Sequence, residues 1–379
     1  MLEFSIKKSD LLKPLSKAQS IIEKKNIMAI INNVYLYAEP EKIIIEATDL
    51  EISYRASIPC NLISQGAITI NANKLFEIVK EFPLDEIHFK EQKNSWLQIG
   101  STEKAIFKLG GTPPDDFPQF RKIEENNSIT IKAKDLHEMI TKTVFSASSE
   151  AHKFSLAGVY LEQEKKENDD KVLFRMVASN GHRLALQDKI IEGSGLNIDE
   201  GILIPKKGAN EIKRIIEDHD EVTFGIDENF CFVKSDNEIL IVRLIEGKFP
   251  NYRAIIPENK ERSFKFSKNE FYSALKRISI LASDDIFRSV MAHIRPDEVE
   301  IESLKKESGE AKEKLPIEYN GEPFDLAFNA KYMMDALSVM NSDNVEIISN
   351  DSASPCLIVG EDDPGYMALI MPMTIREEE

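Results

Sequence analysis

The sequence predicts an α+β chain of three similar domains, each built from two β-α-β-β-β units with antiparallel connections. In the underlying pattern, a short run of alternating apolar and polar residues leads into apolar residues spaced three and four apart. This strand-then-helix pattern recurs six times along the 379 residues, in three pairs. Three more alternating runs follow each helix of the first pair, which favours antiparallel meanders over a parallel α/β sheet.

The first pair of units opens the chain. A strand over 4–6 leads into a helix over 9–22, and a strand over 68–70 leads into a helix over 72–81. The short strands that follow these two helices are predicted over 34–37, 43–46, 52–54, 87–89, 96–99 and 106–109. The other two pairs repeat the pattern, with helices predicted over 134–146, 206–216, 268–281 and 330–340.

Domain ends repeat as well. A Phe-Pro pair closes the first third at 117–118 and the second third at 249–250, and a polar linker follows each. The predicted domains are therefore 1–127, 128–262 and 263–379, which are ordinary domain sizes. Charged stretches occur at the same phase of the second and third domains and are predicted to be solvated hairpin tips; they cover 162–171 and 302–314.

Composition narrows the function. The net charge of −17 argues against a surface that grips nucleic acid all over, yet the six predicted helices together carry a surplus of six positive charges. A mildly basic helix face opposite an acidic strand face is one explanation, and the high helix propensity of lysine is the other. The absence of a signal peptide and of a long apolar run predicts a cytoplasmic protein, and three scattered cysteines fit that compartment.

Motifs of catalysis are absent. The chain has no GxxxxGK[ST], GxGxxG, HExxH or GxSxG sequence, so we expect no cofactor. The acidic pairs at 115–116, 284–285 and 362–363 have no partner at ligand spacing, and no metal site is predicted. His182 is the best candidate for a catalytic base, but no nucleophile neighbours it, which favours a structural or binding role.

Six short motifs occur in a fixed order along the whole chain. They are Leu11-Leu-Lys-Pro-Leu15, Thr48-Asp-Leu-Glu51, Asp116-Phe-Pro118, Asn180-Gly-His-Arg-Leu-Ala185, Gly247-Lys-Phe-Pro-Asn-Tyr252 and Met371-Pro-Met373. In order and spacing they resemble the bacterial replicative sliding clamp, the β subunit of DNA polymerase III. The resemblance implies a head-to-tail dimeric ring in which helices line the interior and antiparallel sheets form the outer wall.

The resemblance also implies a function. Such a ring is a non-catalytic processivity factor that encircles duplex DNA without sequence preference. It tethers the replicative polymerase, and it binds the clamp loader and repair proteins through short linear motifs. The chain departs from the family in having Asn73 and Ala254 where members often carry Arg, Ser155 in place of an aromatic residue, and Thr374 after the final motif.

The resemblance assigns three sets of residues. Contacts to DNA map to Lys25, Lys74, Lys80, Lys153, Phe154, Lys206 and Lys207. The groove for partner peptides maps to Leu156, Ser179, Gly181, His182, Arg183, Leu184, Pro250, Ile255, Pro355, Leu369, Met371, Pro372 and Met373. The dimer interface maps to Leu75, Ile78, Phe107 and Leu109 against Ile280 and Leu281.

Two other hypotheses about the function remain open from the residues alone. The chain could be a monomeric peptide-binding scaffold that does not encircle DNA, or a hydrolase that uses His182 with an acidic partner. Mass in solution separates the scaffold from a ring, since a ring needs a dimer. A turnover assay addresses the hydrolase.

Overall fold

The computed structural model describes residues 1–22, 28–102, 105–150, 153–165, 171–193, 195–257, 262–281, 288–304 and 309–373. Within these ranges there are six α-helices, in the order that the sequence predicts. They are α1 (Lys8–Ile21), α2 (Ala72–Glu81), α3 (Ala133–Thr143), α4 (Lys206–Ile216), α5 (Lys268–Ile278) and α6 (Ala330–Ser338). None of them is long and apolar enough to cross a membrane.

The helices begin where polar residues interrupt the strand pattern. The Asn71 side chain caps α2 by accepting a hydrogen bond from the Lys74 N–H, and Asn329 caps α6 through the Tyr332 N–H. Helix α3 ends at Thr143 rather than at 146, because residues 144–146 form a short 3₁₀ turn.

Each third of the chain contains the predicted strands. The first third has β1 (Glu3–Lys7), β2 (Asn33–Glu39), β3 (Lys42–Thr48), β4 (Ile52–Pro59), β5 (Asn61–Ser64), β6 (Ala67–Asn71), β7 (Glu86–Gln92), β8 (Trp96–Thr102) and β9 (Ala105–Gly110). The second has β10 (Ser128–Lys132), β11 (Gly158–Lys165), β12 (Lys171–Ser179), β13 (Arg183–Glu192), β14 (Ile202–Pro205), β15 (Glu221–Asp227), β16 (Phe230–Lys234) and β17 (Glu238–Arg243). The third has β18 (Ser263–Ser267), β19 (Ser289–Arg295), β20 (Glu298–Ser303), β21 (Lys312–Pro316), β22 (Phe324–Asn329), β23 (Asn344–Ile348), β24 (Cys356–Gly360) and β25 (Tyr366–Ile370).

Chain contacts divide the protein into two compact units. Unit 1 comprises Met1–Leu136, Gly193–Asn197 and Lys207–Leu244, and unit 2 comprises His137–Glu192, Ile198–Lys206 and Ile245–Glu379. The middle third of the chain therefore contributes to both units. The boundaries near 127 and 262 stay a prediction from the sequence.

Unit 1 contains two antiparallel sheets. The smaller has the strand order β5-β1-β7-β8-β9, and the larger has the order β10-β15-β16-β17-β4-β3-β2-β6. In the larger sheet β4, from the first third, pairs with β17, from the second third, so that Ile52 lies opposite Val242. We call the three thirds of the chain, each with two β-α-β-β-β units, the first, second and third repeats. Strands from two successive repeats thus share one continuous sheet.

Unit 2 repeats this arrangement. Its larger sheet has the order β14-β11-β12-β13-β25-β24-β23-β18, and its smaller sheet has the order β21-β20-β19-β22. Here β13 of the second third pairs with β25 of the third, and Arg183 lies opposite Ile370. The β11–β12 and β20–β21 pairs are antiparallel, and the charged runs begin inside these strands. The predicted hairpin tips, at 166–170 and 305–308, lie outside the described residues.

The helices bury their apolar faces against the sheets. In the last third, Phe271 of α5 and Met333 and Leu337 of α6 join one core with the alternating residues of β18 and β19. A second, smaller cluster lies around Leu186, Leu357 and Tyr252 in unit 2. That smaller cluster is where the candidate site is found.

Candidate functional site

A pocket of about 220 Å³ opens beside the small cluster of unit 2. We call it the groove. Most of its lining is apolar, and the residues come from the 3₁₀ turn 154–156, the β12–β13 turn, the segment after 245 and the end of β25. They are Leu156, Ser179, Gly181, Arg183, Leu184, Phe249, Pro250, Asn251, Tyr252, Ile255, Leu369 and Met371.

A tight turn between β12 and β13 forms one wall. Gly181 has φ of +90°, a left-handed conformation that favours glycine. The Asn180 side chain accepts hydrogen bonds from the N–H groups of His182 and Arg183, both at 3.0 Å. Ser179 Oγ accepts from the Gly181 N–H at 3.1 Å. The sequence predicts a tight turn at Gly181, because glycine adopts this conformation readily. The structure confirms the turn, which places Arg183 and Leu184 at the groove.

Arg183 enters the groove with its charge already compensated. Its side chain is 10 % exposed, and Nη1 donates to Asp335 Oδ2 at 2.6 Å. The guanidinium lies over the ring of Tyr332 at 4.5 Å and near that of Phe145 at 5.2 Å. Because the carboxylate neutralises the charge of Arg183 and the rings cover its guanidinium, the groove keeps an apolar character despite a basic residue in its lining.

The segment from Phe249 to Ile255 forms the opposite wall. Phe249 stacks on Tyr160 with 5.1 Å between ring centroids. The Tyr252 hydroxyl donates to Glu162, and Arg253 Nη2 donates to the same carboxylate at 2.6 Å. Burial raises the pKa of the Tyr252 phenol, and the hydrogen bond to Glu162 adds to this, so the hydroxyl stays protonated and can donate. This polar anchor fixes the wall to β11.

Met371, near the end of the described chain, completes the lining of the groove. The spacing of Met371 and Met373 predicts that they alternate along the final strand and face the same side. That strand stops at Ile370, so the prediction is wrong. The Met371 N–H bonds to the His182 carbonyl at 2.9 Å, whereas the Met373 N–H bonds to the Ala327 carbonyl at 2.8 Å. These bonds direct the two residues to different neighbours, and only Met371 lines the groove.

The structure brings together most of the predicted groove residues. It does not place His182, Pro355, Pro372 or Met373 in the lining. The sequence assignment also omitted Phe249, Asn251 and Tyr252, although they belong to the quoted motif over 247–252. That motif was therefore the signal that pointed to them.

The predicted DNA-binding lysines differ in their surroundings. In unit 1, Lys74 and Lys80 are exposed on α2, whereas Lys207 at the start of α4 bonds to Asp49 and, at 3.0 Å, to the Ile21 carbonyl.

In unit 2, Lys153 bonds to Glu150 at 2.9 Å. Lys206 donates to the Ala147 carbonyl at 2.9 Å. Burial, together with the nearby Arg183 charge, lowers the pKa of Lys206. Phe154 opens the 3₁₀ turn 154–156, and Lys25 lies outside the described residues.

The predicted interface residues also differ in exposure. Phe107 on the edge strand β9 is 40 % exposed, and Ile280 after α5 is 69 % exposed. Ile78, Leu109 and Leu281 are partly buried.

Leu75 is 1 % exposed and packs inside unit 1, so its side chain has no surface to offer a partner. The prediction is wrong for that residue.

Comparison with known proteins identifies the family. The family models for the N-terminal, central and C-terminal domains of the DNA polymerase III beta subunit match residues 2–121, 130–251 and 253–374. The beta sliding clamp of Caulobacter vibrioides is 28% identical over 376 residues, covering 99% of this chain and 100% of that protein. The beta sliding clamp of Haemophilus influenzae is 29% identical over 379 residues, with the same coverage.

Solved structures agree. The sliding clamp of Bartonella birtlesii bound to griselimycin superposes with a TM-score of 0.92 at 27% identity, covering 99% of this chain and 100% of that one. The DNA polymerase sliding clamp of Caulobacter crescentus gives a TM-score of 0.89 at 28% identity, again over 99% and 100%. The resemblance seen in the sequence motifs is confirmed: along all three of its domains, this chain belongs to the family of the bacterial β sliding clamp, the β subunit of DNA polymerase III.

Proposed function

We infer that the chain is the processivity clamp of a replicative DNA polymerase, a non-catalytic subunit that encircles duplex DNA and tethers its polymerase. One observation carries the inference: three clamp-domain matches follow one another from residue 2 to residue 374. The whole-chain likeness to solved clamps supports the same conclusion, with a TM-score of 0.92 over 99% of the chain.

The sheet topology supports closure into a head-to-tail dimer. In each large sheet, the third strand after the first helix of one repeat pairs with the last strand of the next repeat; these pairs are β4 with β17 and β13 with β25. The strands left over in those two positions are β21 and β9, and each is at the edge of its sheet. Pairing β21 of one copy with β9 of a second copy would repeat the internal junction and create two equivalent seams.

Charge suits a ring that slides. The net charge of −17 repels DNA from most of the surface, while exposed helix lysines such as Lys74 and Lys80 favour DNA at a helix-lined hole. Topological linkage retains the ring, so each phosphate contact can be weak and salt-sensitive. Tethering then raises the effective concentration of the polymerase at its template.

The groove is the proposed docking site for partners. Its lining is mostly apolar, and its one cation, Arg183, is compensated by Asp335. Such a pocket accepts the apolar side chains of a short linear motif, and we propose that the polymerase, clamp loader and repair proteins present such motifs. A cytoplasmic location stays a prediction.

Retention on DNA tests the proposal. The full chain is loaded with its clamp loader on nicked circular plasmid, and half of the sample is then cut once with a restriction enzyme. We expect the circles to retain the protein through gel filtration and the linear form to lose it from its free ends. Equal retention on both forms would indicate direct binding, and a monomeric mass by light scattering would favour the peptide-binding scaffold instead.

A further inference from the structure

We propose that Arg277 supplies a buried positive charge at the junction between two copies of this chain. Lys17 and Lys142 supply such a charge at the two junctions between successive repeats within the chain. The proposal rests on the proposed dimeric function and adds a residue to it. Lys17, Lys142 and Arg277 occupy the same position in their repeats, thirteen residues after Phe4, Ile129 and Phe264 respectively. They lie on α1, α3 and α5, the first helix of each repeat.

Lys17 is buried where the second repeat docks on the first, within unit 1. Its Nζ lies 2.9 Å from Glu238 Oε2, and the two side chains are 7% and 6% exposed. Glu238 begins β17, the last strand of that repeat. The same amino group donates to the Ile215 carbonyl at 3.3 Å, near the C-terminal end of α4. The lysine thus meets a carboxylate of the last hairpin and the negative end of the second helix.

Lys142 repeats the arrangement within unit 2. Its Nζ lies 2.8 Å from Asp363 Oδ1, and the two side chains are 3% and 0% exposed. Asp363 belongs to the turn between β24 and β25, again the last hairpin of the next repeat. Its other oxygen accepts from the N–H and the hydroxyl of Ser342, just beyond α6. The position therefore holds a buried, paired cation at both internal junctions.

Arg277 stands at the same position in the third repeat. Its guanidinium bonds to Glu313 of the edge strand β21, and the Arg277 side chain is 57% exposed. Ile280, one helical turn further on, is 69% exposed. Arg277 is thus an exposed cation beside an exposed apolar side chain, whereas the matching lysine is buried in both other repeats. We infer that another repeat packs on this surface.

The occupant that fits is the first repeat of a second copy. Equivalence with Lys17 and Ile215 places Arg277 at the C-terminal end of α2 in that copy, where helix carbonyls favour a cation. A buried cation without its acceptors is strongly destabilising, so the residue would select correct seating of the two copies. Arginine and lysine both suit the role, because lysine already performs it at the two internal junctions.

Subunit exchange between labelled full-length dimers tests the proposal. Arg277→Met should weaken the dimer roughly tenfold or more, about 1.4 kcal/mol. Arg277→Lys should stay close to the wild type. Lys90→Met is the matched control, since Lys90 is another half-exposed cation paired within its own chain, to Glu3 at 3.0 Å; its exchange should not change.

The variant Glu313→Gln distinguishes the ion pair of Arg277 within its own chain from the proposed contact of Arg277 with the second copy. If Arg277 acts across the seam, Arg277→Met should still weaken the dimer in the Glu313→Gln background. An effect that vanishes there, or an Arg277→Met dimer as stable as the wild type, overturns the proposal. With a dimeric wild type retained on circular DNA, such a result leaves the proposed function intact, whereas a monomeric wild type rejects both.

A covalent test covers the case in which Arg277→Met unfolds. Cysteines replacing Arg277 and Glu81 together should give a disulfide-linked dimer on mild oxidation, and each single replacement should not. Absence of the linked dimer, with the variant folded and dimeric, would also overturn the proposal.

Discussion

At the scale of single residues, the shape of the groove depends on a few hydrogen bonds that fix the path of the backbone. Gly181 at φ +90° reverses it between β12 and β13, and Asn180 secures the reversal with its side-chain oxygen. Met371 bonds to His182 on the same turn, while Met373 bonds to Ala327. Two methionines of one short motif thus acquire different environments.

This difference predicts different effects on peptide binding. Met371→Ala should weaken a short apolar peptide from the polymerase roughly tenfold, about 1.4 kcal/mol, because it removes a flexible side chain from the groove lining. Met373→Ala should change the affinity far less. Fluorescence anisotropy with a labelled peptide measures both, and thermal unfolding checks that each variant is folded. Equal losses in the two variants would contradict the groove as described.

The sequence could identify much of this site and not all of it. The motif around Gly181 predicts a turn because asparagine and glycine favour it, and the apolar residues beside it follow. Alternation alone extends the last strand through Met373, but Pro372 has no backbone N–H to donate to a ladder and was the signal that the strand stops before it, at Ile370. Likewise, the buried state of Leu75 depends on tertiary packing that an amphipathic helix pattern leaves undetermined.

At the scale of elements, the helices were predictable because the apolar period changes abruptly from two to between three and four. Strand β5 was not predicted, since Asn61–Ser64 is an edge strand whose residues are largely exposed and show no alternation. Helices α2 and α4 also differ in a way that composition hides. The lysines that begin α4 already bond within their own units, whereas Lys74 and Lys80 on α2 are exposed.

The two helices should therefore contribute unequally to direct DNA binding. Changing Lys74 and Lys80 to Ala should reduce the slope of log affinity against log salt by about 0.9 for each phosphate contact that is lost. Changing Lys206 and Lys207 to Ala should reduce it less, because their amino groups are held by carbonyl and carboxylate oxygens. Titrations between low and moderate salt on a short duplex measure the slopes. A larger effect from the α4 pair, or a clear sequence preference, would contradict the prediction.

At the scale of the whole molecule, the predicted seam combines edge strands with exposed apolar side chains. Phe107 is on β9, and Ile280 follows α5. We expect the double variant Ile280→Ala with Leu281→Ala to be monomeric at micromolar concentration, because it removes apolar surface that assembly would bury. Light scattering measures the mass, and circular dichroism checks the fold. A persistent dimer would move the seam elsewhere.

The β4–β17 and β13–β25 ladders have a consequence for fragments of this protein. If the first or the second repeat were expressed alone, the N–H and C=O groups along one edge of β4 or β13 would be unpaired, because β17 or β25 pairs with that edge in the intact chain. Unpaired strand edges bind strands of other molecules, so an isolated repeat would be prone to aggregate. The repeats are separable as units of sequence, yet each depends on its neighbour to remain in solution as a well-behaved molecule.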